Sequence, residues 1–201
     1  MVVAEFFDYL ERLNSLIRSW QRDDQVLSQV PAIQLSALRY LSICNHYSDT
    51  LMGVTDYLGL TKGTVSQSLK VLEERKWLYR EQDLQDKRIV HLQLTDEGKA
   101  ISQRLSAADA LKLALTQLGP EFSSHLTNGL HTLLSTLQKN EHRNSFGVCQ
   151  SCRFHETQAA RPFCGLTKQA LPMAMIDRIC REHQVNADEC ESLIGENKHG
   201  K

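Results

Sequence analysis

The chain has 201 residues, which suits one ordinary domain plus a small appendage. Its 41% apolar content suffices for a core, and its 23% charged content is that of soluble proteins. A net charge of −1 does not announce a nucleic-acid partner, and Lys62 to Arg88 carries only seven Lys/Arg against five Asp/Glu. No apolar run is long enough to span a membrane, and the N-terminus lacks the basic and apolar regions of a signal peptide. The expectation is a cytoplasmic protein without membrane contact, in a compartment that keeps thiols reduced.

Spacings of four, three and four between Phe6, Leu10, Leu13 and Ile17 predict a helix over Glu5 to Arg22. Pro31 opens a second helix to about Asn45, since a missing amide hydrogen costs little in a first turn. Asn45 to Thr50 is a polar break ending in two N-cap residues, Asp49 and Thr50. A short helix follows over Leu51 to Leu58, stopped by Gly59. Thr61 caps the next, which runs through Val65, Leu69 and Leu72 to Glu74. Leu78 to Arg80 is extended. Val90, Leu92 and Leu94 alternate with polar residues as a strand does, and Gln82 to Lys87 is a polar hairpin tip. Thr95 caps a long helix to Leu118, ended by Gly119-Pro120, and Glu121 to Lys139 is a further helix. Asn140 to Ser145 is a polar hinge. The domains expected are therefore 1–142 and 143–201. The second is loop-like, with one helical stretch near Pro172 to His183 and disorder from Glu196 to Lys201.

Helix, turn, helix and two short strands around a polar tip make a winged helix-turn-helix. The fold class expected is mainly α with a small β wing, plus a helical dimerisation region. A helix fits the major groove of duplex DNA, where its exposed face can read base edges. Val65, Leu69 and Leu72 form the buried stripe of the second helix of this unit. Lys62, Gly63, Ser66, Gln67 and Lys70 fall opposite, and Thr61, Thr64 and the helix N-terminus can hold a phosphate.

Leu58-Gly-Leu-Thr-Lys-Gly-Thr-Val-Ser-Gln-Ser-Leu69, then Leu72-Glu73, Asp86-Lys-Arg88 and Leu94-Thr-Asp-Glu-Gly98 closely resemble the MarR family, over roughly Leu10 to Lys139. The resemblance implies an obligate homodimer on a double-stranded DNA operator, joined by the N-terminal helix and the last two long helices. It implies that Arg88 enters the minor groove from the wing, with Asp86 orienting it, and that each recognition helix reads one half-site. It also implies a small-molecule effector between the dimerisation and DNA-binding regions. Leu51-Met-Gly-Val54 departs from the more polar start usual in the family, which puts phosphate contacts from that helix in doubt.

Five of the six cysteines lie after residue 148. Cys149-x2-Cys152 places two sulfurs on one tight turn. Cys164, Cys180 and Cys190 follow after 11, 15 and nine intervening residues. Four thiolates complete a zinc site or an iron–sulfur cluster, and the set expected is Cys149, Cys152, Cys164 and Cys180, with Cys190 and His183 in reserve. A metal-free switch through a Cys149–Cys152 disulfide is the competing reading. Cys44 reads as a small core hydrophobe, and His155 and His183 as surface residues.

The function expected is a dimeric DNA-binding transcriptional regulator whose tail centre stabilises it or reports redox state or metal supply. The rivals are a small-molecule-responsive repressor with a purely structural zinc, and a thiol oxidoreductase using Cys149 and Cys152. The last lacks the strand-rich setting of thioredoxin-like enzymes, and no catalytic constellation supports another reaction, so the chain is read as a non-enzyme.

Overall fold

A computed structural model describes residues 2–106, 109–141 and 143–185. The N-terminal helix α1 (Val2–Asp23) leads through a 3-10 turn to α2 (Ala32–Ile43). The reading unit follows as α3 (Leu51–Leu58) and α4 (Lys62–Glu74). Antiparallel strands β1 (Leu78–Gln82) and β2 (Val90–Leu94) form the wing, with Leu78 opposite Leu94 and Gln82 opposite Val90. Helices α5 (Asp96–Ser106), α6 (Asp109–Leu118) and α7 (Pro120–Asn140) complete the first domain. This is the mainly helical, winged architecture expected. Residues 107 and 108 lie outside the described residues, so the single helix expected over 96–118 is described as α5 and α6.

Local chemistry sets these boundaries. Thr50 accepts a hydrogen bond from the Gly53 amide and starts α3, and Gly59 ends it in the left-handed conformation at φ 64°. Thr61 caps α4 by accepting from the Thr64 amide. Thr95 accepts from the Gly98 amide and donates to the Lys76 carbonyl, so it starts α5 and ties it to the wing. A β-carbon on Gly98 would lie 2.0 Å from the Trp77 carbonyl oxygen, which explains the glycine of the Leu-Thr-x-x-Gly sequence.

One core holds the reading unit together, built on Leu38, Tyr40, Val54, Val65, Leu69, Leu72 and Leu92. Cys44 is part of it, as expected, and burial pushes its thiol up to about 12. By contrast, α6 and α7 contain no buried residue among those described. Phe6, Leu10, Leu13 and Ile17 of α1 and Phe122, Leu126, Leu130 and Leu137 of α7 are exposed apolar side chains at helical spacing. No helix among the described residues is long and apolar enough to cross a membrane.

The tail differs from the loop expected. It contains a three-stranded antiparallel sheet, β3 (His155–Gln158), β4 (Arg161–Cys164) and β5 (Gln169–Ala170), in that order. Near Pro172 to His183 the only helical element described is a 3-10 turn at Met173–Met175, not the helical stretch expected. The hydrogen bonds of that stretch go elsewhere: Ile179 bridges to Cys44 and to Val148, and the Cys180 amide donates to the Gly147 carbonyl. Phe146 and Ile179 pack on the core of the first domain. The disorder expected over 196–201 lies outside the described residues.

Candidate nucleic-acid interface and thiol pocket

The buried stripe of α4 fixes what its other face presents. With Val65, Leu69 and Leu72 inside, Thr61, Lys62, Thr64, Gln67 and Lys70 are exposed and Ser66 is half-buried. Nothing lies within 4 Å of a β-carbon placed on Gly63, so the start of the helix is open to close approach. The Thr61 and Thr64 hydroxyls are hydrogen-bonded to each other at 2.8 Å, which commits part of their capacity to the cap. Lys70 stands 4.0 Å from Glu74, a loose exposed pair that contributes little.

In the wing, Asp83 accepts from the Gln85 and Asp86 amides and turns the chain. Asp86 then accepts from both the backbone and the guanidinium of Arg88. The side-chain and backbone hydrogen bonds from Arg88 hold the Asp86 carboxyl down to about 2. The Arg88 side chain remains 89% exposed, so the pair orients the guanidinium without hiding it.

Behind the reading unit lies a second site. Cys149, Cys152, Cys164 and Cys180 line one small pocket of about 30 Å³. Each arrives from a different piece of local structure. Cys149 and Cys152 bracket a 3-10 turn, Cys164 ends β4, and Cys180 follows the Ile179 bridge to the end of α2. Tyr47, Phe154, Leu166 and Leu171 supply apolar wall. N–H groups point at three of the sulfurs: Asn45 Nδ2 at Cys149 (3.3 Å), the Gln184 amide at Cys152 (3.5 Å) and the Thr167 amide at Cys164 (3.5 Å). Cys149 and Cys180 are close enough for each thiol to shift the protonation of the other. The neighbouring Cys149 thiol, helped by donors from Asn45, the Glu182 backbone and Ser48, lowers the pKa of the Cys180 thiol. The same interaction, together with burial, pushes the Cys149 thiol up. His155 also lines the pocket, with a buried Nδ1 that has no hydrogen-bond partner among the described residues.

Comparison with known proteins bears on the first domain. The profile of the MarR family matches residues 28–89. The organic hydroperoxide resistance transcriptional regulator of Bacillus subtilis is 30% identical over 104 residues, which cover 51% of this chain and 71% of that protein. The chain belongs to the MarR family. Among solved structures, a mutant MepR from a multidrug-resistant S. aureus clinical isolate is 28% identical, with a TM-score of 0.54 over 66% of this chain and 97% of that one. Streptococcus pneumoniae FabT, solved in complex with DNA, shares the fold at 23% identity and a TM-score of 0.54, covering 68% and 98% of the two chains. Roughly a third of this MarR-family chain therefore lies outside each structural match.

His183 is not the surface residue expected. It is buried, its Nδ1 is 2.6 Å from the Ser145 hydroxyl, and its Nε2 is 3.1 Å from the Ser151 hydroxyl. Both ring nitrogens are thus engaged away from the sulfurs, which removes it from the reserve ligands. A β-carbon on Gly147 would fall 2.4 Å from its ring. Cys190, the other reserve, lies outside the described residues. His155 is half-buried rather than on the surface.

Asn45, Ser48, Asp49 and His91 carry structural roles that sequence reasoning missed. The first three are buried polar residues in the turn between α2 and α3. Asp49 accepts hydrogen bonds from His91 and Gln93 of β2, and its backbone carbonyl accepts from the Leu92 amide. The only signal in the sequence is the run of polar residues from Asn45 to Thr50, which reads equally well as a solvated loop.

Proposed function

We propose that this MarR-family chain is a homodimeric, DNA-binding transcriptional regulator whose tail carries a four-cysteine centre, taking zinc or an iron–sulfur cluster. One observation carries the second half of the reading: four cysteines spread over 32 residues line a single pocket against the back of the reading unit. A set of free core cysteines has no reason to converge, whereas thiolate ligands must. Lys62, Ser66, Gln67 and Lys70 on α4, with Thr61 and Thr64 at its cap, supply the polar face that a major groove requires. Asp86 and Arg88 supply an oriented, exposed cation at the wing tip. The apolar faces of α1 and α7 have no cover among the described residues and suit a second copy.

The test is selection of the full-length chain on a randomised duplex library, with the mass of the complex and the metal content of the protein measured together. The expected outcome is a two-fold symmetric site bound by two chains, each carrying bound metal. Failure to enrich any duplex rejects the DNA-reading assignment, and absence of metal rejects the centre.

A second reading rests on a cavity of about 250 Å³ between α1, α2, α3 and α5, lined by Gln21, Arg39, Tyr57 and Leu105 among others. It suits a small-molecule effector, with a zinc in the tail serving structure alone. Release of the selected duplex by small aromatic acids, unchanged when the tail cysteines are replaced, would favour it.

A further inference from the structure

We propose that an iron–sulfur cluster held by Cys149, Cys152, Cys164 and Cys180 sets the pose of the DNA-reading wing through the buried turn from Asn45 to Thr50. This rests on the reading above that the four cysteines form one centre.

Cys149, Cys152, Cys164 and Cys180 line one apolar-walled space, and an all-thiolate donor set is that of an iron–sulfur cluster. Three of them already accept N–H bonds, the interaction by which proteins stabilise and tune clusters. The buried, unpartnered Nδ1 of His155 gives the same wall one further polar group.

The turn is bonded on both sides. On the tail side, the Asn45 amide donates to the Ile179 carbonyl (2.9 Å) and its side chain to the Cys149 sulfur, while Ser48 Oγ accepts from the Arg181 amide (2.9 Å). On the wing side, Asp49 holds His91, Gln93 and the Leu92 amide, and Thr50 forms a bridge with His91. His91 Nε2 reaches Asp83 at 3.1 Å, and Asp83 caps the amide of Asp86, the partner of Arg88. An unbroken series of hydrogen bonds and short chain segments thus joins Cys149 to the wing arginine. A cluster that fixes the four cysteines fixes the tail side of the turn. Its loss frees that side, and with it the seat of β2.

The experiment compares metal-free full-length protein with protein reconstituted without oxygen from ferrous iron and sulfide. Iron, sulfide and visible absorption are measured alongside affinity for the selected duplex. Wild type should bind iron and sulfide and shift in duplex affinity by about tenfold on loading, within the roughly 5–150-fold range of ordinary coupling. His91→Ala should load equally but lose most of that shift. Asp83→Asn, which disturbs only the far end of the series, should load equally and reduce the shift; it decides the matter if His91→Ala fails to fold. Uptake of zinc but not of iron and sulfide overturns the cluster while the four-cysteine centre stands. A loaded wild type with unchanged duplex affinity, or variants with the full wild-type shift, overturns the coupling. A chain that takes up no metal at all fails the reading on which the proposal rests.

Discussion

Arg88 reaches back two residues to Asp86 and grips it twice, Nε to Oδ1 at 2.9 Å and Nη2 to Oδ2 at 2.7 Å. Asp86 also accepts from the Arg88 amide, and its backbone carbonyl accepts from the Ile89 amide, so one residue shapes the wing turn and aims the cation. Arg88→Ala should leave a folded dimer and weaken duplex binding by on the order of 1–3 kcal/mol, the usual cost of a lost groove contact. Titration at matched salt measures this. Unchanged affinity would take Arg88 out of the reading role.

Gln67 and Lys70 lie on the same exposed side of α4 but offer different chemistry. An amide can donate to and accept from one base edge, whereas an ammonium only donates and serves phosphate as a point charge. Gln67→Ala should therefore relax base preference more than it lowers affinity. Lys70→Ala should lower affinity evenly across sequences and make binding less salt-dependent. Binding across a randomised duplex library separates the two. Equal losses of specificity and affinity in both variants would mean that the face is wrongly assigned.

The recognition helix, the wing and their caps were legible in the sequence because each rests on local chemistry. Thr50, Gly59, Thr61 and Thr95 act at the positions where their residue types predict. The tail sheet was not legible. Its strands are two to four residues long, and two of the turns between and beside them place Ala159, Ala160 and Lys168 at positive φ. No glycine occupies those positions, so a sequence search for punctuation passes over them. The grouping of Cys149, Cys152, Cys164 and Cys180 around one pocket follows their clustering along the tail. Their seat was not legible, because nothing in Asn45-His-Tyr-Ser-Asp49 tells a buried polar turn from a solvated one.

Gly53 and Gly63 make a matched pair for testing that seat. A β-carbon on Gly53 would lie 2.0 Å from the Ser48 carbonyl oxygen and 2.6 Å from the Tyr40 hydroxyl, which itself donates to that carbonyl. Gly53→Ala should therefore push α3 off the turn and destabilise the protein by about 1–3 kcal/mol, as overpacking does. Gly63→Ala meets nothing within 4 Å on an exposed helical face. It should be neutral or stabilise by up to roughly 1 kcal/mol through the better helix propensity of alanine. Denaturant unfolding of both variants gives the comparison, and a Gly53→Ala protein as stable as Gly63→Ala would show that the turn can yield.

His91 makes the wing clamp sensitive to pH. Burial pulls its imidazole down, but hydrogen bonds to Asp49 and Asp83 outweigh this and leave its pKa raised above the ordinary 6.5. A group whose pKa is higher folded than unfolded stabilises the fold fully below its unfolded pKa. That contribution is lost as pH rises through the folded pKa. The clamp should thus be strongest in mildly acidic solution and weaken from about pH 6.5 upward. His46, nearby, moves the other way because burial lowers it, so the two imidazoles should titrate separately in an NMR experiment. Thermal stability of wild type and His91→Gln across this range is the check. The variant should lack the loss on the alkaline side, and parallel curves would place the dependence elsewhere.

The tail cysteines should behave as one unit. A centre missing one of four ligands loses its metal or exchanges it, so Cys→Ser at 149, 152, 164 or 180 should each lower metal content sharply. Cys44→Ser is the control within the described residues, because that thiol is buried in the core of the first domain. It should keep its metal while losing some stability, since a hydroxyl replaces a buried apolar group. Cys190→Ser should be mild. The four ligand variants should also share one second phenotype, because Cys149, Ile179 and Arg181 bond the tail to the Asn45–Thr50 turn beside the centre. Limited proteolysis should cut all four in the 145–185 region under conditions that spare wild type, while the first domain survives. Metal analysis and proteolysis on these six proteins decide between a shared centre and separate thiols. Full occupancy in all four ligand variants would sink the centre, and a severe loss at Cys190 would replace one member of the set.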